Sequence, residues 1–113
     1  VGYFSSIDVD NQNRPHISYY DTSTDDLKYA YWDGSMWQIE VIDQSGDVGR
    51  WTSIAVDTNT NNVHISYCHE GNRDLKYSKW DGSIWTTETV DASGNRGEYT
   101  CIDLDSYGNP HIS

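Results

Sequence analysis

An all-β fold assembled from a repeated four-stranded unit is what this sequence predicts, and three observations predict it. First, the chain repeats itself. Residues 2–48, 49–96 and 97–113 align, with Ile17, Ile65 and Ile112 in register, so the period is 47 or 48 residues. Second, short runs in each copy alternate apolar and polar residues with a period of two, the pattern of strands with two distinct faces. Third, Asp-Gly-Ser stands between two such runs at 33–35 and again at 81–83. Such a turn is a strong hairpin signal, because Gly supplies the left-handed backbone a tight connection needs. No segment shows helical periodicity and no helix cap is evident.

Each copy opens with a strand over residues 6–10, 53–57 or 101–105, where Ile and Val or Leu alternate with Ser, Ala or Asp. A turn follows. In the third copy it is Ser106-Tyr107-Gly108-Asn109, with Gly108 at a positive φ; Asn13 and Asn62 are expected to take that role elsewhere. The one length difference between copies falls in this turn, between Asp57 and His64, and variation confined to a turn is what a structural repeat shows. The second strand covers 15–20, 63–68 and the residues from Pro110 onward. The third covers 27–32 and 75–80, and the fourth 37–42 and 85–90. Gly-rich connections at 46–49 and 94–97 lead into the next copy.

Four antiparallel strands at a period in the forties match a β-propeller blade, which buries both faces against its neighbours. The third strand supplies both faces, with Leu27, Tyr29 and Tyr31 on one side and Ala30 and Trp32 on the other. The predicted organisation is propeller repeat 1 over 1–48, repeat 2 over 49–96, and the first hairpin of repeat 3 over 97–113. All three form one domain or part of a larger propeller. A stacked β-sandwich or prism is the alternative architecture.

Composition limits what such a chain does. With 113 residues there is room for one small domain. Nine Tyr and five Trp against one Phe and one Met suit half-buried sheet surfaces, where a ring packs and its polar tip reaches water or a partner. The net charge is −11, with only seven Lys and Arg, so neither nucleic acid nor an anionic membrane is an expected partner. No stretch is long and apolar enough to span a bilayer. Val1 opens directly onto a strand pattern rather than a secretory leader, and the chain is expected to be a mature or excised piece of something longer. Cys68 and Cys101 fit no metal-ligand spacing and no redox motif. They read as two buried, inert thiols, with a disulfide between neighbouring blades as the alternative.

The phrases HISYYD (16–21), DLKYAYWDG (26–34) and GRWTSIAVD (49–57) resemble a propeller repeat of bacterial and archaeal surface proteins. That resemblance covers the whole chain and implies extracellular modules. A looser resemblance is to the fucose-binding propeller lectins, whose blades carry a Trp-Asp-Gly-x-x-Trp turn. Residues 32–37 and 80–85 fit it. Those lectins bind sugar between blades with an Arg, a Glu and aromatic residues, but the turn alone does not carry their Arg and Glu onto positions of this chain. The same turn also resembles the Asp-box of sialidase-like propellers, without that motif's full spacing.

The candidate residues each have a functional and a structural reading. Trp37 and Trp85 follow the turn, and Arg50 and Trp51 open a blade; all four are the candidate ligand-binding residues, as stacking platforms or cations for a sugar. Their structural reading is packing between blades. Asp8, Asp10, Asn11 and Asn13 cluster oxygen ligands as a calcium loop would. Against that, Ala55 stands where Asp8 would recur, no Glu closes the loop, and Asp10, Asp57 and Asp105 begin turns where Asp bonds its own backbone. Calcium or another hard cation is the sharper reading of the acidic balance, a soluble, self-repelling surface the plainer one, and no other cofactor is implied. His16, His64 and His111 recur at one position and are expected to bond across to the next blade. Lys28 and Glu40, like Lys76 and Glu88, lie on adjacent strands, where an ion pair forms if the turn between them sets that register.

No nucleophile elbow, Ser-x-x-Lys or phosphate loop is present, and a repeated residue rarely makes the asymmetric constellation catalysis needs. The predicted function is a non-catalytic extracellular or cell-surface module for assembly or for carbohydrate or protein recognition. The alternatives are a fragment of a sialidase-like glycoside hydrolase and a purely structural filament or surface-layer subunit. Two blades and a hairpin cannot close a ring, so the chain is expected to meet further copies of itself or the rest of a longer repeat protein.

Overall fold

The alternating pattern folds into strands throughout, with no helix, in a computed structural model that describes residues Val1–Ser113. β1 (Tyr3–Val9), β2 (Pro15–Asp21), β3 (Asp26–Trp32) and β4 (Trp37–Asp43) form one antiparallel sheet in sequence order. β5 (Val48–Val56), β6 (Val63–His69), β7 (Asp74–Trp80) and β8 (Trp85–Asp91) form a second. β9 (Ile102–Leu104) and β10 (Pro110–Ile112) pair as a short third sheet. The first strands of the three sheets are neighbours, so the sheets stand side by side as blades.

Two strands begin earlier than their alternation suggests. Phe4 and Trp51 sit at φ 50°, inside irregularities that break the pairing of β1 with β2 and of β5 with β6. A bulge of this kind inserts unpaired residues and bends the strand, which lets β1 and β5 continue past a break in periodicity. The turns between first and second strands close alike: the amides of Asn13, Asn61 and Gly108 donate to the carbonyls of Asp10, Asp57 and Asp105. The positive-φ residue of the second copy is therefore Asn61, not Asn62, because the extra residue lies before the closing amide.

The Asp-Gly-Ser turns hold four residues. Trp32 pairs with Trp37 and Trp80 with Trp85, while the Asp33 carboxylate accepts from the amides of Ser35 and Met36 at 2.8 and 2.9 Å. This register sets Tyr29 opposite Glu40 and Lys28 opposite Val41. The Lys28–Glu40 ion pair therefore does not form. Lys28 pairs with Asp21 in its own blade, and Lys76 reaches back to Asp43 of the first blade at 2.7 Å. The histidines likewise bond within their blades: His16 to Tyr29 and Asp10, His64 to Tyr77, and His111 to Asp105. Both cysteines are free thiols, and Cys101 is exposed rather than buried. Burial pushes the Cys68 thiol up to about 11, so it stays protonated and inert.

The core lies between blades. Leu27 and Tyr29 of the first blade meet Val48, Ile54, Val56, Val63, Ile65 and Tyr67 of the second. The joint is closed by polar contacts repeated at each step. Ser6 Oγ accepts from the Ile54 amide, and Ser53 Oγ from the Ile102 amide, both at 3.2 Å. Thr52 Oγ1 donates to Ser18 Oγ at 2.9 Å, and Ser66 and Thr100 are joined over the same distance. Asp43, at the end of β4, accepts from Tyr67 Oη and Lys76 Nζ, each at 2.7 Å. Gly49, at φ 106°, passes so close that an added Cβ would lie 2.8 Å from Leu27 Cα.

Two outcomes follow from this joint. Gly49→Ala meets both an unfavourable φ and a backbone clash, so it costs more than about 2 kcal/mol in urea unfolding. Gly94→Ala, with a similar φ of 96° and open space around it, costs clearly less. The second outcome concerns acid. Burial alone would raise the Asp43 carboxyl, but hydrogen bonds from Lys76, Ser45 and Tyr67 outweigh it and hold the group below its ordinary value. A depressed folded-state value stabilises the fold above the unfolded-state value, about 3.9, and that stability is lost as pH falls through the carboxylate range. Asp43→Ala, which leaves Lys76 without a carboxylate and Tyr67 with Ser78 alone, lowers unfolding free energy at neutral pH by about 3 kcal/mol. The same change at half-exposed Asp91 stays within about 1 kcal/mol. An Asp43→Ala chain as stable as the parent would refute the latch.

Candidate functional site

The end of the blades where β1, β3, β5 and β7 finish holds a cavity of about 190 Å³ between the first two blades. Its floor and polar edge come from the first blade. Asp10 caps the β1–β2 turn, accepting from the amides of Gln12 and Arg14 at 2.8 and 3.0 Å. Its second oxygen takes Arg14 Nε at 3.0 Å and His16 Nε2 at 3.1 Å. Arg14 Nη1 also donates to the Asp33 carbonyl, at 3.3 Å, so the guanidinium is clamped between the two turns at this end. Side-chain rotation is thus restricted, yet a third of the Arg14 side chain stays exposed.

The aromatic wall is shared by both blades. His16, Tyr29 and Tyr31 lie nearly parallel, with Tyr29 and Tyr31 centroids 5.3 Å apart. Trp85 of the second blade meets Tyr29 edge-on at 5.2 Å and lies 5.9 Å from Trp80. The Trp85 indole donates from Nε1 to Glu40 Oε2 at 3.0 Å, across the joint. A buried indole N–H needs an acceptor, and this one fixes a carboxylate at the cavity edge. Asn61 and Val63 complete the second blade's side.

Electrostatically the cavity is acidic. Asp10, Asp33 and Glu40 surround it against the single guanidinium of Arg14. Burial would raise Asp10, but the Arg14 amide, His16, the Gln12 amide and the Arg14 side chain together hold it far below the usual carboxylate range. Asp33 is lowered by the Met36 amide, then Gln38 and the Ser35 amide. Both therefore stay ionised at neutral pH. Burial and the Glu40 charge raise the Tyr29 phenol, which stays protonated. An anionic ligand is repelled here; a neutral molecule with one apolar face and several hydroxyls finds acceptors, a guanidinium and a flat aromatic wall. The volume lies below the ~300 Å³ typical of sites for drug-sized ligands, which is room for a single ring.

Of the four candidate ligand-binding residues, only Trp85 lines this cavity. Trp37, its counterpart in the first blade, is exposed and packs edge-on against Trp32 at 5.8 Å. Arg50 and Trp51 lie at the opposite end of the blades. Arg50 bonds Asp47 and lies over the Tyr20 ring, 5.1 Å from its centroid. Trp51 stands between Phe4 and Tyr99, at 5.4 and 5.3 Å. Asp8 accepts from the Val56 amide of the next blade at 2.8 Å, and Asp10 is engaged by its own turn and by His16. No group of three or more His, Cys, Asp or Glu converges as metal ligands would. Arg14, Glu40, Tyr31 and Asn61 were not legible as one site, since their turns and strands meet only when two blades pack. The available signal was Arg14 itself, which departs from the Asn62 and Asn109 of the other copies.

No protein-family model and no curated protein matches the sequence. Among solved structures, a fucose lectin from Kordia zhangzhouensis in complex with methyl-fucoside superposes with a TM-score of 0.56 at 18% sequence identity, over 96% of this chain and 80% of that one. At that identity the likeness is one of fold: this chain is an all-β protein of propeller-type blades, two of four strands and one of two.

Proposed function

We propose that the chain is a non-catalytic carbohydrate-binding module that takes one neutral sugar ring in the cavity between its first two blades. One observation carries the reading. Glu40, held through Trp85 Nε1 of the next blade, sits with Arg14 at the mouth of an aromatic-walled cavity sized for one ring. A carboxylate accepts from sugar hydroxyls, a guanidinium donates to them, and indole or phenol faces take the C–H face of the ring. The solved fucose lectin, with methyl-fucoside bound, makes fucosides the first ligand to try. Asp10 and Asp33 are tied up by their own turns, so Glu40 has no free carboxylate partner for acid–base hydrolysis, and binding is preferred over turnover. An extracellular or cell-surface setting fits an acidic, Tyr- and Trp-rich repeat; no helix of the structure is long and apolar enough to cross a membrane.

The test is titration calorimetry with methyl-fucoside and a panel of neutral monosaccharides. Binding is expected in the parent and is weakened at least about tenfold by Glu40→Ala or Arg14→Ala, each of which removes a charge-assisted hydrogen bond. Trp37→Ala leaves it unchanged. Failure of every neutral sugar to bind at millimolar concentration sinks the reading, and turnover of a fluorogenic glycoside would move it to the hydrolase alternative.

A second reading concerns assembly, and exposed residues favour it. Ile7 and Val9 are exposed on the first blade, whereas Ile54 and Val56, at the same repeat positions, are buried in the joint. Gly2, the counterpart of Gly49, has nothing within 4 Å of an added Cβ. The free face of the first blade therefore carries the same interface chemistry, and a further repeat, from this protein or another copy, fits it. Ile7→Asp with Val9→Asp is expected to abolish concentration-dependent association in sedimentation velocity; a parent chain that stays monomeric at high concentration would contradict this.

A further inference from the structure

The first repeat's histidine differs from its copies in one respect that bears on the cavity. His16 is buried and both ring nitrogens are engaged, Nε2 with Asp10 Oδ2 at 3.1 Å and Nδ1 with Tyr29 Oη at 2.6 Å. Asp10 also accepts from Arg14 Nε and two backbone amides, which keeps it a carboxylate. A carboxylate only accepts hydrogen bonds. The proton of a neutral His16 must therefore sit on Nε2, leaving Nδ1 as a bare acceptor. Tyr29 has a single hydroxyl proton, and Nδ1 takes it. Tyr29 is one of the residues that line the cavity, and its oxygen keeps lone pairs alone for any further partner.

His64 keeps the tyrosine contact, Nδ1 to Tyr77 Oη at 2.6 Å, but its Nε2 has no partner. The second copy's turn is one residue longer and carries Asn62 where the first has Arg14, so Asp57 does not hold that ring. Its tautomer is unconstrained.

We infer that Tyr29 Oη is a specificity-determining acceptor of the interblade cavity, aimed by the Asp10–His16 pair, and that it selects a sugar presenting a hydroxyl donor at that point. The inference rests on the sugar-binding reading. The charged and titratable groups around His16 are Asp8 opposite it on β1, Asp10 and Arg14 in the turn, Tyr29 and Tyr31 on β3, Asp33 in the turn after β3, and Glu40 opposite Tyr29 on β4. The second blade adds Val63, Trp80 and Trp85, none of which titrates in the physiological range. Protonating His16 puts a second proton on Nδ1, which then donates to Tyr29 and frees the phenol to donate into the cavity. The preference for a donor on the sugar reverses when the imidazole carries both protons.

Two measurements on the full chain decide it. Nitrogen-15 NMR of histidine-labelled protein above neutral pH is expected to show His16 as the Nε2–H tautomer; an Nδ1–H signature overturns the inference without any ligand. Calorimetry with methyl-fucoside and its singly deoxygenated analogues is expected to find one hydroxyl whose removal weakens binding about tenfold in the parent and has no effect in Tyr29→Phe. That penalty disappears at the pH where NMR shows His16 protonated. Equal losses in parent and Tyr29→Phe for every analogue overturn the role of Tyr29 while the sugar reading stands. If no neutral sugar binds, the sugar reading and the Tyr29 assignment both fall, and only the tautomer remains a property of the fold.

Discussion

Leu27 is fully buried although its own blade cannot cover it. What covers it is the first strand of the next blade, brought in by Gly49 at a distance no larger residue allows. That close approach is the constraint on which the remaining structure depends. A four-stranded sheet with large residues on both faces has no interior of its own, and free energy from apolar burial arrives only when a second sheet packs on it. The core cluster accordingly draws on both blades rather than either one. Once Val48 through Val56 lie against the first blade, the amides of Ile54 and Val56 find Ser6 and Asp8, and Tyr67 and Lys76 reach Asp43. Each is a buried or half-buried polar group that would be costly without its partner.

The cavity is a consequence of the same packing. Adjacent twisted sheets converge where their inner strands touch and part toward the rim, and the Trp-Asp-Gly-x-x-Trp turns stand at the parting. Glu40 and Trp85 come from different blades, yet a single hydrogen bond joins them, so the geometry of the site depends on the integrity of the joint. The frame is repeated, but the chemistry within it is not. Tyr31 has Lys79 as its counterpart and Arg14 has Asn62. At the opposite end of the blades the charge pattern even inverts. The first joint holds Asp25 and Arg50 around Tyr20, whereas the second pairs Arg73 with Glu98 at 3.1 Å. Backbone-directed contacts of Ser and Thr recur because the fold needs them; the rim residues are free to differ, so each joint carries its own polarity.

Strands and tight turns were legible because their signals are local. Period-two alternation, Asp-Gly turns and the 47–48 residue repeat all act within one copy. What escaped was set by single-residue details or by contacts between copies. A four-residue turn, where a three-residue one would pair them, moves Lys28 away from Glu40. One inserted residue shifts the positive-φ role from Asn62 to Asn61. The histidines turn inward because Asp10 and Tyr29 lie within reach in the same blade. Trp85 was readable as an aromatic on a strand end, but its partners Arg14 and Glu40 lie 71 and 45 positions away in the chain (85 − 14 and 85 − 40).

The contrast between Trp37 and Trp85 shows how the blade order shapes the cavity. Both follow the same turn, pair with a tryptophan across it and begin a fourth strand. Trp85 lines a cavity because the first blade packs against its side of the second; Trp37 is exposed on the side of the first blade against which nothing in this structure packs. The cavity is therefore a property of successive pairs of blades rather than of a repeat. The outer strands reinforce the point. β4 exposes Ile39 and Val41, while β8 carries Thr87 and Thr89 at the same positions. The first blade thus presents an apolar fourth strand together with the unburied counterparts of Ile54 and Val56. These are surfaces that a soluble face tolerates poorly and that a neighbouring blade would cover. A blade added there would also bring its own turn and glutamate position against Trp37, and its rim residues would set the polarity of that second cavity.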